Sequence, residues 1–374
     1  MSSMNIPSAP LRIDSLLPRG HARTPTDLAI DAAVIGATRA DSPAFDHLPP
    51  PVRHRAAGAI QAWAMARRSA GRAGERLTAL LGDPRYPPLS LYTPLAEFVE
   101  QHSTLDFKSR DGRLIAARSS HSVFAQAFWM RSGVIYEPTQ AMHELVEDTR
   151  IDDNVPLRFV RLPKPAICIV PNVASRTTLG RIEAVSIFSH VGQDLTSGPR
   201  QLTLVAWSRI NGPTPADGIE VLHLTIEDED EPIGAALARA MNNPDLFSPY
   251  LFPGDESLQR CRATLSYVVK LLLFVSLDST EVIQERPFSA APRVFPGLGR
   301  RKREAKLAQI DQLYDRYVVG LSSLPSEPID NRDGPCRHKV SEHWRSPHFK
   351  MQPHGPHNTL RKLVFIGRTY VSAY

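Results

Sequence analysis

A chain of 374 residues, 42% of them hydrophobic, is long enough for two or three domains and apolar enough to bury a core. Its net charge of +5 permits nucleic-acid contact without demanding it. Three cysteines, Cys168, Cys261 and Cys336, lie far apart with no Cys-x-x-Cys pair; this excludes a disulfide scaffold and a zinc–thiolate cluster and fits a reducing compartment.

Residues 1–50 are rich in Pro, Ser, Ala and Asp, show little periodicity, and read as an extended arm closed by Pro49-Pro50-Pro51. With Pro51 at its first turn, a long helix is predicted over 52–81, weakened by Gly71 and Gly74. A second helix begins at Pro94, with Leu95, Phe98 and Val99 as apolar positions. Asp111-Gly112 marks a hairpin within 105–117. Residues 120–131 read as a helix with Val123, Phe124, Ala127 and Phe128 on one side and Gly133 as its C′ residue, and 139–149 as a further short helix.

From about residue 157 the pattern becomes that of strands: 157–162, 166–170, 181–190, 201–210 and 219–226. With no helices between them they predict a central antiparallel sheet. Cys168 sits in an apolar run and reads as a buried small hydrophobe. The acid run Glu227-Asp228-Glu229-Asp230-Glu231 reads as a solvated loop before a helix over 233–241, where the helix dipole favours acids. The clearest helix is 255–278, with Leu258, Cys261, Leu265, Val268, Val269 and Leu272 at helical spacing. A partner helix is predicted over 300–319, opened by the cations Arg300, Arg301, Lys302 and Arg303, and the tail 360–374 reads as a strand. The fold class is therefore α+β: an arm (1–50), a helical region (51–150), a β-rich region (151–250), and a C-terminal module (251–374) pairing two helices with a His/Arg-rich loop and a terminal strand.

That loop, 337–357, holds five of the thirteen histidines: His338, His343, His348, His354 and His357. Arg337, Lys339, Arg345 and Lys350 alternate with Trp344 and Phe349. Cations neutralise phosphates while Trp, Phe and His offer flat faces to bases. The same set suits an acidic or aromatic peptide through carboxylate forks and cation–π contacts. A metal-independent ribonuclease would use His343 or His348 as acid and base, with Arg337 holding phosphate. A histidine metal site would lack a carboxylate or thiolate, so no metal and no cofactor is expected. In the plainest alternative, the histidines and Trp344 simply hold the loop together and the basic helix start is a solvated face. No P-loop, G-x-G-x-x-G, G-x-S-x-G or H-E-x-x-H motif is present, and His143-Glu144 lacks the second histidine of a zincin. The first twenty residues hold no continuous apolar stretch, and Lys270 interrupts the most apolar run, so a cytoplasmic protein without a membrane partner is expected.

The segment from Ser341 to Tyr370 resembles the C-terminal signature of the type V-A anti-CRISPR family. The residues that carry the resemblance are His343, Trp344, Arg345, His348, Phe349, Gln352 and Gly355, followed by Arg361, Lys362 and Ile366. The upstream helix ending LLLFVSLDS, the basic segment and YVVG fit the same layout, so the resemblance spans about 260–374. Ser346-Pro347 stands where the family usually has Arg-Gly, and His357 replaces a usual Gly, which weakens the basic turn. The resemblance implies a protein of a phage or mobile element that silences synthesis of a CRISPR effector nuclease by recognising its nascent N-terminal peptide, with loss of the mRNA. The implied partners are that nascent polypeptide or another target protein, with RNA or the ribosome alongside.

Overall fold

In a computed structural model, the described residues are 24–91, 94, 95, 97–99, 121–171, 182–191, 199–208, 219–242, 255–320 and 343–371. They form a mixed α+β fold, as the sequence predicts, in two compact units, one ending at Trp129 and the other beginning at Met130.

The first unit is helical. Its opening helix, Pro25–Ala40, corrects the expectation of an extended arm through residue 50. Thr24 accepts a hydrogen bond from the Asp27 amide at 3.2 Å, and the Asp27 carboxylate accepts from the Thr24 amide at 2.8 Å. This capping box satisfies amides that the helix cannot, and a buried face of Ala29, Ile30, Ala33, Val34 and Ala37 supplies the packing. The long helix expected over 52–81 is three: Pro50–Ala56, Ala59–Ser69 and Gly71–Gly82. Gly58 and Gly71 have φ of +82° and +56°, a left-handed backbone that ends a helix cheaply only at glycine. Residues 94, 95 and 97–99 are helical, with Leu95, Phe98 and Val99 buried, and Val123, Phe124, Ala127 and Phe128 are buried within the helical residues 121–130. Ser132, at φ 53°, takes the left-handed position that the sequence reading gave to Gly133. The hairpin expected over 105–117 lies outside the described residues.

The second unit is built on a seven-stranded sheet. In chain order its strands are β1 (Val134–Pro138), β3 (Ala166–Ile169), β4 (Ile182–Val191), β5 (Arg200–Ser208), β6 (Ile219–Ile226), β7 (Val282–Glu285) and β8 (Arg316–Val319), with β2 (Arg150–Ile151) belonging elsewhere. Their spatial order is β6-β5-β4-β3-β1-β8-β7. Strands β3 to β6 pair antiparallel, as predicted. The sheet is nevertheless mixed, because β1 lies parallel to both β3 and β8. Two segments were misassigned. Residues 157–162 are not a strand but a 3₁₀ turn, Leu157–Phe159, whose Leu157 and Arg158 amides donate to Glu231 O and Glu229 O at 2.9 and 2.8 Å. The helix expected over 300–319 ends at Asp311, and Arg316–Val319 is β8. Asp315 stops the helical path: its carboxylate accepts from the Phe288 and Ser289 amides at 2.9 and 3.0 Å.

The core of this unit lies where the helices Gln140–Asp148, Ile233–Asn242 and Asp255–Val275 meet one face of the sheet. Leu265, Val268, Val269 and Leu272 of the long helix pack with Ile167, Val185, Leu204 and Leu222 of the strands. Cys168 is buried, as expected of an apolar strand residue. No helix among the described residues is long and apolar enough to cross a membrane.

The C-terminal segment read as a loop is largely strand. Strand β10 (His348–His354) pairs antiparallel with β11 (Leu360–Ile366) and parallel with β2, and β9 (His343–Arg345) pairs antiparallel with β12 (Thr369–Val371). The tail thus contributes two strands rather than one.

Candidate partner-binding face

The residues of β10 alternate, so the strand has two chemically different sides. One side is Phe349 and Met351, both buried. The Phe349 ring packs edge-on against Phe274 at 4.7 Å, and Phe365 from β11 closes the group at 4.7 Å from Phe274 and 5.4 Å from Phe349. A fully buried phenylalanine in such a cluster holds about 1.5–3 kcal/mol of burial energy. Phe349 therefore fastens the small sheet to the Asp255–Val275 helix and is not part of an outward contact surface.

The other side of β10 carries His348, Lys350 and Gln352. Register puts Arg150 of β2 beside His348, and Lys362 of β11 opposite Gln352. Arg150, Gln352 and Lys362 are exposed, and His348 and Lys350 are half-buried. Among the described residues, Arg150, Lys350 and Lys362 form no ion pair. His348 Nδ1 lies 3.1 Å from Ser346 O, which fixes the ring against its own turn. The chain reverses at Gly355, whose φ of +74° and ψ of −176° belong to a region open essentially to glycine alone. Arg361 is exposed on the opposite side from Lys362 and donates to Asn358 O at 3.3 Å.

The remaining expected site residues are dispersed. Arg345 is exposed in β9; Trp344 and His343 stand opposite Tyr370 and Val371 in the β9–β12 ladder. Arg337 and Lys339 lie outside the described residues. Arg300, Arg301, Lys302 and Arg303 form the exposed first turns of helix Arg300–Asp311, where Arg300 pairs with Glu304 at 2.8 Å. Four cations at this end oppose the helix dipole, and no acid in the first turn offsets them.

The acid run proves to be tied into the fold. Glu229 pairs with Arg200 at 3.0 Å, Asp230 with Arg158, and Glu231 with Arg239 at 2.7 Å. Arg200 also donates to Val160 O at 2.6 Å, so these pairs fasten the Leu157–Phe159 turn to β5. Three of the five acids are thereby occupied within the molecule.

Sequence reasoning missed three polar features. Arg150 lies far from the signature in sequence and joins its outward face only through two residues of parallel pairing. Glu137 links strands, accepting from Tyr314 Oη at 2.6 Å and from Arg316 at 2.7 Å, while Arg316 also donates to Glu285 at 2.7 Å. Burial and the adjacent carboxylate push the Tyr314 hydroxyl well above the usual phenol range. In the core, buried His143 holds Tyr267 through Nδ1 at 2.9 Å and has Nε2 3.0 Å from Glu147. The sequence signal for this contact was its helical spacing, His143 to Glu147, rather than the neighbouring Glu144. No group of three or more metal-ligating side chains occurs among the described residues.

Comparison with known proteins places this arrangement in context. A family model described as AcrVA2-like, the anti-CRISPR type V subtype A2 family, matches residues 136–373. The chain is also similar to a solved structure, the crystal structure of AcrVA2, with a TM-score of 0.39 and 11% sequence identity, over 84% of this chain and 97% of that one. Curated proteins yield no match.

Proposed function

The chain belongs to the anti-CRISPR type V subtype A2 family, and from that membership we propose that it lowers production of a CRISPR effector nuclease by recognising the effector's nascent N-terminal peptide, with loss of the encoding mRNA. The match over 136–373 is the observation that carries this reading, because it spans the whole second unit beyond β1's first residues, not the short C-terminal signature alone. The division of β10 supports it further. Its apolar side belongs to the core, which leaves His348, Lys350 and Gln352, with Arg150 and Lys362, free to meet a partner.

A reporter fused to the first codons of a type V effector, co-expressed with the protein, tests the proposal. Reporter mRNA and protein should both fall, and synonymous recoding of those codons should preserve the effect because the peptide is unchanged. A frameshift that alters the peptide while keeping the RNA nearly intact should abolish it. Unchanged mRNA with the in-frame fusion would refute the proposal.

A further inference from the structure

We infer that the outer face of β2, β10 and β11 holds the phosphate backbone of single-stranded RNA, with Arg150, Lys350 and Lys362 as its cations. This is the face that the proposed function leaves open to a partner; its charge and geometry commit it to RNA, and the nascent peptide would then be read elsewhere.

The first argument is that no described acid neutralises this face, whereas other arginines of the unit are tied into the fold. Arg158, Arg200, Arg239, Arg260 and Arg316 each pair with a carboxylate of the same chain. The three cations of the outer face do not pair with any described acid, although strand register brings them onto one surface. Asp152 continues the β2 ladder, donating its amide to Phe349 O at 3.0 Å, and is the acid of that row. Three cations against it leave the face positive.

The second argument is spacing. Same-side residues of a strand recur at roughly 6.6–6.8 Å and neighbouring strands lie about 4.8 Å apart. Arg150, Lys350 and Lys362 therefore cross the small sheet as an oblique row from its β2 edge to its β11 edge. A row of separate cations fits a polymer with a charge at every residue.

The third argument is the kind of cation. Two of the three are lysines, which act as point charges and tolerate many phosphate orientations, and Arg150 adds a guanidinium fork that can grip one phosphate. Between the cations stand His348 and Gln352, which can hydrogen-bond phosphate or ribose oxygens, and beside them the half-buried Val364 and Ile366 of β11, which can only pack. The one phenylalanine of the strand is buried, so the ring this face can offer to a base is an imidazole, that of His348. Recognition of this kind reads the backbone and not the sequence. Three contacts bind weakly alone, but tethering to a translated message would raise the effective concentration.

The test uses the full-length protein and a fluorescent oligo(U) of about 16 nucleotides, with anisotropy followed across a salt series. Each of Arg150→Gln, Lys350→Gln and Lys362→Gln should flatten the slope of log K against log salt by about 0.7, and the triple variant by about 2. Arg150 and Lys362 are exposed and Lys350 is half-buried without an ion pair among the described residues, so the melting curves of the first and third variants, Arg150→Gln and Lys362→Gln, should stay at wild type, which separates lost binding from lost fold. Oligo(dT) binding with the same slope changes would support a phosphate site that ignores the ribose hydroxyl. Wild-type slopes in the triple variant would overturn the inference. So would a poly-glutamate peptide that displaces the RNA and loses its own affinity in the triple variant, because the face would then serve an acidic polypeptide. The reporter experiment is unaffected by either result, since it reads dependence on the encoded peptide.

Discussion

Replacing Phe349 with alanine should destabilise the second unit severely, although this residue is one of those that carry the sequence resemblance. Phe349 has no exposed surface and touches both Phe274 and Phe365 at ring-centroid distances of 4.7 and 5.4 Å. Deleting a buried phenylalanine ring costs about 3–5 kcal/mol in lost transfer energy and residual cavity. For a unit of this size each kcal/mol moves the midpoint by about 2–4 °C, so a fall of about 6–20 °C is expected. Thermal melts followed by circular dichroism would measure it. His348→Ala, one residue away on the opposite side of the strand, should stay within about 0.5 kcal/mol of wild type. Phe349→Leu keeps most of the volume and should lose less than about 1.5 kcal/mol. The reasoning fails if Phe349→Ala melts with wild type yet loses silencing activity, for the ring would then be a contact and not a core group.

Three further outcomes follow from single features. Gly355→Ala should cost about 1–3 kcal/mol, read in the same melts, because a side chain is strained at φ +74° and its Cβ would lie 2.9 Å from Leu360 Cδ1. Lys302→Glu should raise helix stability by about 0.3–1 kcal/mol, since an acid replaces a cation at the positive end of the helix dipole, and a rise in the melting midpoint would show it. Burial, with the charges of Arg53 and His121, holds His54 down to about 3, and burial beside His190 holds His223 down to about 4. Because these folded-state values lie below the ordinary 6.5, the unfolded chain takes up protons first as pH falls. The stability contributed by neutral burial is complete above that value and is lost toward the folded values. Between pH 6.5 and 5, before most carboxylates titrate, urea melts should therefore show stability falling by up to about 1.4 kcal/mol per pH unit for each histidine. His54→Gln should flatten this dependence in the first unit, and an unchanged slope would contradict the assignment.

The elements legible in the sequence are those whose evidence is local. Helix Asp255–Val275 announces itself through apolar residues at three and four spacing, and β3 to β6 through runs bounded by turn residues. Strands β1 and β8 were hidden because their pairing partners are remote: Tyr136 stands beside Ile169 on one side and Tyr317 on the other. Nothing near Val134 or Arg316 records that parallel pairing, and Tyr314 and Tyr317, three apart, imitate one more helical turn. The helix Pro25–Ala40 was within reach, because Thr24-Pro25-Thr26-Asp27 is a capping sequence, but a composition of Pro, Ser, Ala and Asp outweighed it. At the C terminus the period of the strand was missed. His348-Phe349-Lys350-Met351-Gln352 alternates by two, the mark of a half-buried strand, yet interleaved cations and rings suggested a single surface.

That alternation binds the stability of the small sheet to the chemistry of its outer face. Shifting β10 by one residue would bury Lys350 and Gln352 and expose Phe349 and Met351, so the aromatic contact that holds the sheet also dictates which cations face outward. The same logic accounts for Ser346-Pro347, which stands where the resembled signature has Arg-Gly. Pro347 is buried and its carbonyl accepts the Arg150 amide at 2.9 Å, so the turn that lacks an arginine anchors β2 and thereby an arginine from elsewhere in the chain. Arg150 thus joins the outer face from about two hundred positions earlier in the chain, a placement that only the register of β2 against β10 reveals.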